Sequence, residues 1–186
     1  NVSVAWQTVE LADARVDRYE TTCPASNSIR NVGLDASVPL PNYFVLAATH
    51  VSGTIVDDND FFSVTPTGPT QVQLEWGSGC NAARIHLQVV QVPGFTSLNV
   101  TGALATGAVS DVKGALAASN DAFVLNSWRH EPPSAPRIGD RMLRAYTSGN
   151  DEVTVSRGAG NASDQIKEAN LAWSLARVST GSRGRS

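Results

Sequence analysis

The 186-residue chain contains no run of 18 apolar residues, so no stretch of it reads as a membrane-crossing helix, and insertion into a membrane is not expected. It also lacks a signal-peptide pattern and an initiating Met, and as numbered it is expected to be processed or a fragment. The formal net charge of −3 is too small to suggest a nucleic-acid footprint. No Gly-x-Ser-x-Gly elbow, phosphate loop or dinucleotide fingerprint occurs. Ser110-Asp-Val-Lys113 fits a Ser-x-x-Lys pattern, but no Lys-Thr-Gly or Ser-Asp-Asn accompanies it, and the match reads as accidental. Asp and Glu are scattered, and nothing in the sequence points to an enzyme or to a cofactor.

Metal binding finds little support either. His50 and His86 stand where related segments of the chain carry Arg129, Ala5 and Ala172, which suits solvent-side strand positions, and His130 lies in a Pro-rich loop. Asp57-Asp-Asn-Asp60 offers oxygens to calcium, yet it lacks the Gly and distal Glu of a calcium loop and reads as an acidic, solvated turn.

What is present is repetition. Val4-Ala-Trp-Gln-Thr-Val-Glu-Leu11 lines up with Ile85-His-Leu-Gln-Val-Val-Gln-Val92 and with Leu171-Ala-Trp-Ser-Leu-Ala-Arg-Val178. At a period of two, one face of each copy is apolar: Val4 and Trp6; Ile85, Leu87 and Val89; Leu171, Trp173 and Leu175. Between these closing strands the chain repeats twice. Phe61 to Gly68 matches Met142 to Gly149 at an offset of 81, as do Leu74 with Val155 and Gly77 with Gly158, whereas Tyr43-Phe-Val-Leu46 matches Ala122-Phe-Val-Leu125 at 79. The spacing implies an internal duplication.

The expected fold is therefore all-β, two tandem antiparallel β-sandwich units of five to seven strands each, with turn signals every eight to twelve residues. The expected boundaries are a closing-type strand over 1–11, a first unit over 12–92, a second over 93–178 and a polar tail over 179–186. The segments 31–41 and 110–120 read as lead-ins that hold a short turn of helix. Residues 1–93 carry four Arg and nine acids, net −5, and residues 94–186 carry ten bases and eight acids, net +2. An acidic unit followed by a basic one suits head-to-tail contact between copies of the chain.

Both cysteines, Cys23 and Cys80, fall in the first unit, opposite Leu104 and Asn161 of the second. They read as an intra-unit disulfide of an oxidising compartment, with two free thiols as the alternative. Sequons at Asn1, Asn99 and Asn161 are compatible with secretion. Trp6 and Trp173 sit on apolar strand faces and read as core. Trp76, matched by Arg157, and Trp128, matched by Thr49, differ between the units and are candidates for an exposed glycan or partner contact, with packing residues as the alternative.

The closing-strand pattern, the Phe-Val-Leu strands and Val153-x-Val-Ser-Arg157-Gly together resemble small tandem β-sandwich units of bacteriophage structural proteins and secreted bacterial surface proteins. The resemblance implies a structural subunit of an extracellular or virion assembly, a filament, fibre, tail or decoration protein. The alternative is a carbohydrate-binding adhesin or receptor-binding module, with surface glycans as partners. Three closing strands serve two repeats, so the strand bearing Val2, Val4, Trp6, Val9 and Leu11 is left over. It is expected to be exchanged between neighbouring copies, giving a head-to-tail homo-oligomer.

Overall fold

In a computed structural model, the described residues are 11, 13–23, 28–38, 43–50, 60–77, 80, 84–93, 96–105, 110–115, 122–130, 143–148, 152–157 and 166–175. Apart from Asp60, which lies in a 3-10 turn, the regular structure among them is strand. Six strands lie before residue 92: β1 (Arg15–Thr22), β2 (Ile29–Gly33), β3 (Tyr43–His50), β4 (Phe62–Gly68), β5 (Gln71–Trp76) and β6 (Arg84–Gln91). Six follow: β7 (Thr96–Leu104), β8 (Ser110–Ala115), β9 (Ala122–His130), β10 (Leu143–Ser148), β11 (Glu152–Arg157) and β12 (Ile166–Leu175). The expected helical turns at 31–41 and 110–120 are not found in the described parts of those segments, which begin in β2 and β8. After β2 the chain bends at Asp35 and Ala36 and is held against the β4–β5 turn, where Leu34 and Val38 donate N–H bonds of 2.8 and 2.7 Å to the carbonyls of Thr70 and Pro69.

The strands form four antiparallel three-stranded sheets in the orders β1-β6-β3, β2-β5-β4, β7-β12-β9 and β8-β11-β10. Advancing every number of the first two sheets by six gives the last two. Register repeats as well. Phe62 pairs with Trp76 and Val64 with Leu74 in the first half; Leu143 pairs with Arg157 and Ala145 with Val155 in the second, each residue 81 further on. The closing strands differ from the sequence spacing by two residues. Val89 stands opposite Val45 and Trp173 opposite Val124, so Trp173 corresponds to Val89 rather than to Leu87. A bulge between Glu168 and Leu171 shifts the register of β12, and a slip of two leaves strand faces unchanged.

Each pair of sheets buries one core. Tyr43, Ile85, Leu87 and Val89 from the first sheet meet Val32, Val64, Val72, Leu74 and Trp76 from the second. The period-two spacing of these residues explains why they point one way. In the second half Leu104, Leu143, Val153 and Val155 are buried, with Val124, Trp128 and Ala145 packed against them. Leu104 stands at the position equivalent to Cys23, so an apolar side chain occupies the second core where the first half carries a cross-link. Cys23 and Cys80 are bonded, with Cα atoms 5.9 Å apart. Cys23 follows β1 and Cys80 follows β5, so the bridge staples the two sheets at one end. Its formation requires an oxidising environment.

Tyr43 fastens the same two sheets near the β4–β5 turn. Its ring is fully buried, its hydroxyl donates to the Gly68 carbonyl at 2.9 Å, and burial pushes its pKa up to about 12. An unfolded tyrosine ionises near pH 10, whereas the native one holds its proton to about pH 12. The stability contributed by this group is intact below pH 10 and is lost as pH rises to 12, a loss of about 2–3 kcal/mol. Tyr43→Phe is expected to cost about 1 kcal/mol at pH 7 by removing the hydrogen bond. It should also flatten the alkaline decline. Urea titrations of both proteins at pH 7 and pH 11 check this, and equal alkaline losses would refute it.

Candidate functional site

The two halves meet along β9. Its residues alternate in direction, as any strand's do, but both of its faces are engaged. Val124 and Trp128 turn into the core of the second half, and Asn126 donates from Nδ2 to the Leu143 carbonyl on β10 at 3.4 Å. The alternate residues face the first half. Leu125 packs against a cluster of Phe44, Val90 and Val92, which Leu11 and Ala14 also join. Ser127 Oγ accepts the Val64 N–H at 2.9 Å, and Arg129 lies 3.0 Å from the Glu75 carboxylate.

The Val64 contact follows from strand geometry. β4 is an outer strand of its sheet, and Val64 N–H points away from β5, as the backbone positions of Phe62 and Pro66 also do. Ser127 satisfies one of these outward positions, and at Pro66 there is no N–H to satisfy. The edge that would otherwise template pairing with another chain is closed at both places. Ser63, on the face of β4 that shares a row with Glu75, is fully buried.

Between β3, β4 and β9 lies a cleft of about 320 Å³. Leu46, Phe61, Phe62 and Val64 make it mainly apolar, and Asn126 and Trp128 close it from β9. The Phe61 and Trp128 rings stack with centroids 5.8 Å apart. Asp60 also lines the cleft and is only 9% exposed, so this end of the acidic segment is not the solvated turn that its composition suggests. In the second half Asn126 bridges β9 to β10, whereas the equivalent residue in β3 is Ala47, which lines the cleft.

The candidate residues read from the sequence divide three ways. Cys23 and Cys80 are joined. Trp76 is 2% exposed and packs on Phe62 with centroids 5.2 Å apart, so it is core and not a ligand contact; Arg157, its counterpart, is also buried, its guanidinium donating to the Ala105 carbonyl at 3.0 Å. Trp128 is partly buried and faces the cleft. Leu11 sits at the joint between the halves, while Val2, Val4, Trp6 and Val9 lie outside the described residues, as do Asn1 and Asn161. Asn99 is on β7 opposite Ala172. His50 and His86 lie exposed on the outer face of β1-β6-β3, His86 being 3.7 Å from Glu20. No group of three metal-ligating side chains is found among the described residues.

Leu125, Ser127 and Arg129 did not stand out in the sequence as a contact surface. Their signal is a strand with large side chains on both faces, a pattern that β3 shares through Tyr43 and Val45 on one face and Phe44 and Leu46 on the other. Searches against protein-family models, curated proteins and solved structures find no match to this chain.

Proposed function

We propose that this protein is a structural subunit of an extracellular or virion assembly, made of two tandem antiparallel β-sandwich units that arose by internal duplication. The observation that carries the reading is the joint between the halves, which is heterologous: the first half contributes the β4 edge and Glu75, the second contributes β9. A contact between two related units that uses different surfaces on each does not close on itself, and repeating it generates a string or a ring. The recurring strand order supports the duplication. It is the order of an eight-stranded jelly roll from which two strands are missing, so that β3 and β4 are outer strands of their sheets. The disulfide supports secretion or a virion surface.

The leftover strand over residues 1–11 is the element exchanged between neighbouring copies in this reading. Leu11, the last residue of that segment, packs at the joint. Sedimentation velocity on the intact chain and on a chain lacking residues 1–11 tests this. The intact protein is expected to form a concentration-dependent series of oligomers, and the shortened one to remain a monomer. A monomeric intact chain would overturn the structural reading; normal assembly of the shortened chain would overturn the exchange alone.

A second reading, a carbohydrate-binding module, is favoured by the convergence of Trp128, Asn126, Asp60 and Thr49 on one cleft. It predicts saturable shifts of the indole resonances on titration with mono- and oligosaccharides. The apolar lining and the stacking of Phe61 against Trp128 make it the weaker of the two.

A further inference from the structure

From the outward row of backbone groups on β10 we infer that this edge is the acceptor for the exchanged strand: residues 2–9 of one copy pair along β10 of the next and extend its β8-β11-β10 sheet by one strand. This inference rests on the strand-exchange reading and names the surface that receives the strand. β10 is an outer strand, bonded to β11 on one side only. Its register with β11 repeats that of β4 with β5, so Leu143, Ala145 and Thr147 stand where Phe62, Val64 and Pro66 stand in the first half. Their N–H and C=O groups accordingly point away from β11. The Leu143 carbonyl shows this directly, since it accepts from Asn126 Nδ2 on β9 at 3.4 Å.

The two edges match in geometry but not in closure. On β4, Ser127 accepts the Val64 N–H at 2.9 Å, and Pro66 has no N–H to offer. On β10 the residue equivalent to Pro66 is Thr147, which has one. No acceptor for the outward N–H of Ala145 or Thr147 is found among the described residues. Burial differs in the same sense. Val64, in contact with β9, is 3% exposed, whereas Ala145 is only partly buried, and Tyr146 on the opposite face is 39% exposed. An edge of this kind, with Arg144 as the one charge in six residues, is a template for a further strand. β1, also an outer strand, carries Arg15, Asp17, Arg18 and Glu20 and is blunted by them.

The occupant is argued from the chain itself. Residues 2–9 lie outside the described residues, which begin at Leu11. They carry no charge, and a period of two places Val2, Val4 and Trp6 on one face. Extended, these residues span about 26 Å, against about 20 Å for the length of β10. Paired with β10, they bring Val4 and Trp6 beside Ala145 on the core face, where the side chain is small, and their main chain opposite the N–H groups of Ala145 and Thr147. No like charge meets Arg144 there. One contact thus satisfies an apolar strand without a repeat of its own and a strand edge without a neighbour.

The test uses the full chain and two variants, Thr147→Pro and Trp6→Glu, in sedimentation velocity. Thr147→Pro installs on β10 what Pro66 supplies on β4, removing an outward N–H and no bond to β11, so the fold should be kept. Each variant alone is expected to abolish the oligomer series. Mixed in equal amounts, they should form dimers and nothing larger, because Thr147→Pro keeps the donor strand and Trp6→Glu keeps the acceptor edge. This complementation also excludes misfolding as the cause of the losses. A second readout needs no variant: in the parent, amide exchange at Ala145 and Thr147 should slow by roughly tenfold or more as the oligomers form. Assembly of Thr147→Pro at the parent's level, a mixture that fails to dimerise, or unchanged exchange at both amides would overturn β10 as the acceptor while leaving strand exchange in place. Assembly of Trp6→Glu at the parent's level would overturn the exchange as well, and a monomeric parent would overturn the structural reading with both.

Discussion

Replacing Trp76 by alanine is expected to cost about 3–5 kcal/mol, a large share of the stability of a domain this size. The indole is 2% exposed, packs at a tilt on Phe62 and belongs to a core that also holds Leu74, Ile85 and Leu87. No neighbour in a close-packed interior refills such a volume without strain. The equivalent position in the second half is Arg157, but Trp76→Arg is not expected to be milder than Trp76→Ala. Arg157 is tolerated because its guanidinium reaches the Ala105 carbonyl, while the first half presents the Phe62 ring beside Trp76. An unpaired buried cation is costlier than a void. Urea unfolding followed by far-ultraviolet circular dichroism measures the change, and a loss below about 1 kcal/mol for Trp76→Ala would contradict a core role.

Removing the cross-link by Cys23→Ser with Cys80→Ser is expected to cost about 4 kcal/mol on the loop-entropy model, since the bridge spans 57 residues. For a chain of this length that corresponds to a fall in Tm of roughly 10 °C. The parent protein treated with a reductant should show the same fall, and the double serine variant should not respond to reductant. Two alkylatable thiols in the untreated protein would remove the premise. The effect should centre on the first half, because Leu104 replaces the bridge in the second.

Much of the fold could be read from the chain alone, for a definite reason. Ile85, Leu87 and Val89 alternate with Arg84, His86 and Gln88, and the structure buries the first set and exposes the second. The spacing of 81 between the β4–β5 and β10–β11 hairpins survives as identical pairing from Phe62 to Pro66, and only the last pair before the turn differs, where the first hairpin has a shift between Pro66 and Gly68. The choice between a contact residue and a packing residue at Trp76 is not legible in the sequence, for an equally definite reason. A Trp aligned with an Arg looks like a variable surface position, since arginine is seldom buried without a partner. Here the partner is a backbone carbonyl, which leaves no mark in the sequence. The joint was illegible for a related reason: Ser127 matters through a bond to a main-chain N–H, and Arg129 through a carboxylate on a strand from the other half.

The two engaged faces of β9 tie the halves together in a way that neither core does. A strand with one wet face can absorb substitutions there at little cost, so half of its positions are free to drift. β9 has no such reserve among its described side chains, since Leu125, Ser127 and Arg129 meet the first half, Val124 and Asn126 meet the second, and Trp128 meets both by packing on the second core and stacking on Phe61. Any change in it is felt in both cores, and the effects of substitutions on its two faces will not simply add. The same coupling links the melting of the two halves. Loss of either half uncovers apolar surface on the other, so the chain is expected to melt as one cooperative block rather than as two beads on a thread.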